Sequence, residues 1–267
     1  SRRAETASAL KSLHLLHAMR RVAAGADTLA SAFTYYDYVS GTETQKKNAC
    51  PDPALETLVN RRTNYDFETG LDRMMSISDN RTTRGTVIRY GGFVPFNTTA
   101  AATGLSGTTL RHNIGCSYRN LATGKYVPTS LRNDTTAADL AHIYEGVWNS
   151  TLLSNTNSAR SEFLESATLG NGAGATLQTI INQEAAKLGK SAIAAQFGSL
   201  IRSYGKGGSY GTCLPSATST CGQKVIVRSG TGLISLPIKV GGATQYRTYS
   251  FARLISDVPV PAWSGAT

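Results

Sequence analysis

Ser8 and Lys11 stand three residues apart, a spacing that on a helix brings both side chains to one face. A serine hydroxyl is a weak nucleophile until a base takes its proton, and a lysine amine desolvated in a pocket loses enough basicity to do so. The pair therefore predicts a serine that attacks a carbonyl with an amine as its base, at a helix start whose backbone N–H groups stabilise the developing oxyanion. Two further clusters supply what such a site lacks. Ser78-Asp79-Asn80 offers a second hydroxyl and an amide, and Lys206-Gly207-Gly208-Ser209 a cation followed by a backbone free of bulk. A segment with the same ordering of cation, hydroxyl and glycine, Arg228-Ser229-Gly230-Thr231, is the alternative to the Lys206 cluster.

These residues need elements to hold them. Residues 8–24, SALKSLHLLHAMRRVAA, carry apolar side chains at 10, 13 and 16 and again at 15, 19 and 22, a wide helical stripe that Gly25 ends. Residues 52–59 and 67–76 read as further helices, the second running into MMSISDN, so that Ser78-Asp79-Asn80 falls at a helix end or in the turn after it. Residues 135–148 form a helix capped by Thr135 or Thr136, and residues 158–168 and 177–184 shorter ones around a Gly-rich loop at 170–174. Beyond Ala195 the pattern turns to strands at 199–210, 224–238 and 246–255, joined by Gly-rich turns. Helices first and strands last predict one α+β domain over residues 1–267.

S-x-x-K, S-D-N and K-T-G in that order are the signature of class A β-lactamases and penicillin-binding proteins. ASALKSLHLLHAMRRVAAG resembles the nucleophile helix of that superfamily, and GLDRMMSISDNRTTRGTVIRYGG resembles its SDN region, with RNDTTAADLAHIYEGVW and the late strands extending the resemblance over most of the chain. The resemblance implies a β-lactamase/transpeptidase-like fold, an antiparallel sheet packed on a mostly helical region with the active site at their junction. It implies that Ser8 attacks, Lys11 is the base, Ser78 shuttles a proton to the leaving group and Asn80 holds Lys11 and the substrate amide. Asp79 would brace the turn. Lys206 would orient a substrate carboxylate from the sheet edge, Gly207 and Gly208 would line the cleft, and the N–H groups of Ser8 and Ser209 would form the oxyanion hole. No cofactor or metal is implied.

The chain departs from that pattern in three places. Gly207 stands where the family has a hydroxyl. From Asn80 through Asn133 there is no Asp or Glu, so the glutamate that class A enzymes use to activate the deacylating water has no counterpart; Asp134, the first acid available, reads as a helix cap. Slow deacylation, or acyl transfer with Lys11 and Ser78 in both half-reactions, follows. Finally, seven residues precede Ser8 where the fold has a helix and two strands, and SDVPVPAWSGAT is unsuited to a closing helix, so a trimmed chain or a covering chain or domain on the sheet is expected. The substrate class is a β-lactam or D-alanyl-peptide-like amide bearing a carboxylate. The alternatives are an esterase on the same scaffold and an inactive homologue that binds an anionic ligand.

Composition bounds the rest. With 40% hydrophobic and 16% charged residues the chain is globular, and no apolar run approaches a membrane span. The net charge of +10 is scattered, without the basic-aromatic alternation that single-stranded nucleic acid requires. Four cysteines fit two disulfides, Cys213 with Cys221 across a short loop and Cys50 with Cys116, and hence a secreted or periplasmic location. His14 and His17 share a helix face near Lys11 and read as packing or surface, and Tyr35, Tyr36 and Tyr38 as core, surface or a cleft wall.

Overall fold

The computed structural model describes residues 2–37, 39–48, 60–114, 132–155, 158–169, 172–214 and 223–259. A short 3-10 turn, Ala7–Leu10, leads directly into helix α1, Lys11–Ala23. Apolar residues fall on both sides of this helix, and from Lys11 to Met19 it is buried all round: Leu13, Leu15, Leu16 and Ala18 are solvent-free. It ends where Gly25, at φ 68°, donates its N–H to Val22 O. Around it pack α3 (Phe67–Ser76), α4 (Asn80–Arg89), α5 (Val94–Ala102), α6 (Ala137–Trp148) and α7 (Ser158–Leu169). The helix α2 (Glu43–Asn48) lies against α4, and strands β1 (Ala32–Asp37) and β2 (Asn60–Asp66) pair antiparallel beside α3 and α4.

The main sheet has the order β3-β4-β5, from Arg202–Leu214, Gln223–Val240 and Ala243–Pro259, all antiparallel. Along β4, Val225, Val227, Ser229, Thr231, Leu233 and Ser235 are buried, the period of two that one covered face imposes. The opposite register positions of β3 include Lys206 against Thr231 and Gly208 against Ser229. β4 turns into β5 through Gly241 and Gly242, both at positive φ (57° and 85°), as a tight two-residue hairpin demands. The helices α6 and α7 and the Ala7–Leu10 turn pack against this sheet, so the segment carrying Ser8 lies where helices and strands meet. β5 is at best half-buried along its length.

The three strands match the expected order, but the first begins later than expected. Residues 191–200, with three alanines, Gln196 and Leu200 among good helix formers, continue as helix α9 (Ser191–Leu200), which moves the strand start to Arg202. The expected Gly-rich loop at 170–174 is also shortened, because α8 (Gly172–Lys187) starts inside it. Thr136, not Thr135, caps α6 by accepting from Asp139 N. Asp134 is not the cap: it bridges to Thr109 and pairs with Arg111 at 2.7 Å. The helix expected at 52–59, Cys50, Cys116 and Cys221, and Tyr38 lie outside the described residues, and of Cys213 only the backbone, in β3, is described. No helix among the described residues is long and apolar enough to cross a membrane.

Candidate active site

Ser8 lies in the turn ahead of α1, partly open to solvent, and follows Ala7, which is buried and held at φ 49°. A non-glycine residue in that left-handed region is costly and persists where its surroundings over-determine it. Here they do: the Thr6 carbonyl beside it accepts from the Ser229 hydroxyl of β4, and the Ala7–Leu10 turn packs on β3 and β4. Gly208 abuts the nucleophile so closely that a Cβ there would lie 2.8 Å from Ser8 Cα. The absence of a side chain at 208 thus lets the backbone of β3 approach Ser8.

One turn on, Lys11 is solvent-free and its Nζ meets three oxygens: Ser78 O at 2.7 Å, Asn80 Oδ1 at 2.7 Å and Ser78 Oγ at 3.1 Å. Burial drives its pKa well below the ordinary lysine value, and the nearby Lys206 and Lys47 charges push in the same direction while Asp79 opposes them. The two short contacts end on carbonyl oxygens, which only accept, so the nitrogen donates to Ser78 O and Asn80 Oδ1 and stands within hydrogen-bond distance of Ser78 Oγ. No Ser8–Lys11 hydrogen bond occurs among the described contacts; the three oxygens around the Lys11 nitrogen all come from the SDN turn.

The SDN turn links α3 to α4. Ser78 itself sits at φ 58°, and Asp79, fully buried, caps α4 by accepting from Arg81 N at 2.9 Å. Asp79 also binds the Arg81 side chain through Nε and Nη2, and Arg81 reaches on to Asp37 at 2.7 Å and Glu43 at 2.9 Å. A buried guanidinium with three carboxylates around it clamps the turn, which is the bracing role expected of Asp79.

Lys206, on β3, is 5% exposed and donates to Gly207 O at 3.1 Å, with no carboxylate partner among the described residues. Burial first and then Lys47 lower its pKa to about 8. Gly207 and Ser209 share its strand and Gly208 abuts Ser8, so the 206–209 segment runs beside Ser8. The alternative segment runs beside it on β4, Arg228 opposite Ser209 and Gly230 opposite Gly207. Its hydroxyls are spent inside the fold, Ser229 on Thr6 O and Thr231 on Leu140 O at 2.8 Å, so they cannot serve a substrate.

Lys47 is a residue that motif reading missed. It lies on α2, its Nζ 3.5 Å from Ile77 O beside Ser78, and its charge acts on both Lys11 and Lys206. His14 and His17 belong to the packing: His14 Nδ1 meets Thr86 Oγ1 at 2.8 Å, His17 Nδ1 meets Thr99 Oγ1 at 2.7 Å, and both rings lie against Phe96. Tyr35 stacks on Tyr65, with the Arg81 guanidinium over its ring. No cluster of three or more His, Cys, Asp or Glu side chains that could hold a metal occurs among the described residues.

A family model described as the β-lactamase enzyme family matches residues 1–199. Among solved structures, the β-lactamase from Sphaerobacter thermophilus is similar at 18% identity and a TM-score of 0.57, over 96% of this chain and 77% of that one. The chromosome-encoded β-lactamase of Vibrio parahaemolyticus is similar at 12% identity and a TM-score of 0.62, over 99% and 80%. An acyl-enzyme complex of a PBP-A variant with penicillin G follows at 16% identity and a TM-score of 0.56, over 97% and 75%. A search of the curated proteins finds no match.

Proposed function

The chain belongs to the β-lactamase enzyme family, and from that premise we propose that Ser8 is acylated by a β-lactam or a D-alanyl-peptide-like amide and releases its acyl group slowly. The observation that carries this reading is the Lys11 nitrogen, buried, stripped of much of its basicity and seated between Ser78 Oγ and Asn80 Oδ1. In this mechanism Ser8 Oγ attacks the carbonyl carbon as its proton passes to Lys11, directly or through Ser78. The oxyanion rests on the N–H groups of Ser8 and Ser209, each such donor being worth roughly a hundredfold to a thousandfold in rate. Ser78 then delivers the proton to the departing nitrogen, whose bond to the carbonyl carbon breaks. Lys206, which has no carboxylate partner among the described residues, offers its charge to the substrate carboxylate. Hydrolysis of the acyl-enzyme needs a base for water. The acid-free run from Asn80 through Asn133 leaves that work to Lys11 and Ser78, since Asp134 is paired with Arg111. Action outside the cytoplasm is part of the same proposal.

Intact-protein mass spectrometry after exposure to a penicillin, a D-alanyl thioester and a fluorophosphonate tests the reading. The expected result is a long-lived adduct on Ser8 with the penicillin, absent from Ser8→Ala. Labelling by the fluorophosphonate alone would favour the esterase, and labelling by none in folded protein the inactive, anion-binding homologue.

A further inference from the structure

The turn that carries Ser8 is tied down just ahead of it. Ala4 exchanges both backbone hydrogen bonds with Thr135, at 2.9 and 3.1 Å, and the Thr6 carbonyl accepts from Ser229 Oγ. Neither tie involves a group that titrates. Between them lies Glu5, 2% exposed, whose Oε2 has no hydrogen-bond partner among the described residues. A carboxylate taken out of water is costly unless a cation meets it. The group facing it is the His112 ring, with Nε2 at 3.6 Å from Glu5 Oε2.

The contacts of that ring decide which atom titrates. His112 Nδ1 lies 3.0 Å from Asn113 O, and a carbonyl only accepts, so Nδ1 keeps its hydrogen in either charge state. Nε2 is the atom that gains and loses the proton. Bare, it accepts the Asn133 backbone N–H at 3.4 Å; protonated, it has a hydrogen to give, and Glu5 Oε2 is the acceptor facing it. One ring nitrogen cannot serve both. The stretch around the ring is held in place, because Asn133 Oδ1 accepts from Arg111 N at 2.8 Å and His112 N at 3.1 Å, while Asn133 Nδ2 donates to His112 O at 3.0 Å. A charge-assisted N–H···O bond is about 2.8 Å long, so protonation draws Glu5 roughly 0.8 Å closer to the ring.

The other charged groups around the pair are Arg111, bonded to Asp134 at 2.7 Å, and Arg132, bonded to Asp257 at 2.7 Å. Arg84 of α4 donates to Asn113 Oδ1 at 3.1 Å, and Arg2 and Arg3 are exposed. Burial opposes a charge on His112, but Glu5 and the Asn113 carbonyl outweigh burial and Arg111 together and set its pKa above the ordinary histidine value. The bond to Glu5 is thus complete below about pH 6.5 and is lost as the pH rises through the folded-state pKa.

Taking Ser8 as the nucleophile proposed above, we propose that Glu5 and His112 are a positioning pair for it: with Nε2 protonated their ion pair is a third tie on the 4–6 segment, and with Nε2 bare that tie is lost to Asn133 and the segment ahead of Ser8 loosens. The effect reaches Ser8 through Ala7, whose φ of 49° persists only while its surroundings hold it.

The test begins without a substrate. In 13C,15N-labelled protein the His112 ring is expected to titrate with a midpoint above the ordinary histidine value. Amide exchange at Ala7 and Ser8, corrected for the intrinsic pH dependence of exchange, should quicken about tenfold across the same midpoint, the scale of one charge-assisted hydrogen bond. Glu5→Gln keeps the shape and removes the charge. It should drop the midpoint below the ordinary value, since burial and Arg111 are then opposed only by the Asn113 carbonyl, and remove the step in exchange. Acylation by a penicillin should be about tenfold slower in Glu5→Gln than in the parent one pH unit below the parent's His112 midpoint, as small misplacements of a nucleophile cost, and nearly equal two units above it. That difference should remain in a Lys206→Gln background, because the Lys206 charge titrates separately, near 8. A midpoint that Glu5→Gln leaves in place, or Ala7 and Ser8 amides that ignore it, overturns the proposal whether or not Ser8 reacts. A rate difference that is the same at every pH makes Glu5 a purely structural residue and overturns it too. Parent protein that no penicillin acylates counts against Ser8 as the nucleophile, while the exchange step still decides whether the tie exists.

Discussion

On the helical side of the cleft, Lys11 is held by three oxygens of one turn, and that turn is clamped by Asp79, Arg81, Asp37 and Glu43. On the strand side, Lys206 has a single side-chain hydrogen bond among the described residues, to the carbonyl of the next residue, and glycines follow it at 207 and 208. Both amines are buried and both lose basicity by desolvation. They differ in what is arranged around them. In the proposed mechanism the helical wall fixes a base against a hydroxyl with little left to reorganise, the condition for a low barrier to proton transfer, whereas the strand wall would contribute backbone and the Lys206 cation and grip a substrate weakly. On that reading the fold invests in making the acyl bond more than in choosing the acyl group.

Breaking the helical wall should have the largest effect. Lys11→Ala removes the base and is expected to slow acylation of Ser8 by about 10²–10⁴-fold, measured by stopped-flow with a chromogenic β-lactam. Next comes the strand wall at its point of contact. A Cβ at 208 would fall 2.9 Å from Ser8 Cβ and close to its backbone, which has nowhere to go. Gly208→Ala should push β3 away, spoil the Ser8–Ser209 oxyanion pair and cost roughly 10²–10³ in acylation rate. An unchanged melting temperature alongside a slower reaction would separate this effect from misfolding.

The same contrast explains what could be read from the sequence. The helical wall is written in local spacing: Ser8 to Lys11 is one turn, Ser78 to Asn80 one loop, and the apolar stripe of α1 fixes which way that turn faces. The strands were legible from alternation and from Gly241-Gly242, which ends β4. Contacts between distant segments were not. That Lys11 bonds to Ser78 and Asn80 and not to Ser8 depends on how α3 and α4 pack against α1. Lys47 looks like any solvated lysine in ETQKKN until α2 brings it to Ile77 O. The hydroxyls of Ser229 and Thr231 resemble a substrate-binding pair until their register on β4 turns them inward. Asp134 reads as a cap because capping chemistry is local, whereas its bridge to Thr109 is tertiary.

Substitutions at two positions sharpen the strand wall with smaller effects. Lys206 is a cation below about pH 8 and loses its charge above it, so kcat/KM for a carboxylate-bearing substrate should fall on an alkaline limb near that value, since this ratio reports the free enzyme. Lys206→Gln should lower kcat/KM about 10–100-fold, the value of a charge-assisted hydrogen bond, and abolish the limb. Lys206→Arg should carry the limb beyond the accessible range, because a guanidinium does not titrate there. The smallest change is a gain. A Cβ at 207 meets nothing closer than Ser229 O at 3.8 Å, and position 207 is not among the glycines at positive φ, so threonine fits. Gly207→Thr should raise kcat/KM for a carboxylate-bearing β-lactam roughly fivefold, the worth of about 1 kcal/mol from one neutral hydrogen bond, and leave an uncharged ester unaffected. If the ester gains equally, the added side chain has stiffened the strand and not gripped the carboxylate, and the weakness of this wall lies in its backbone freedom and not in the missing hydroxyl.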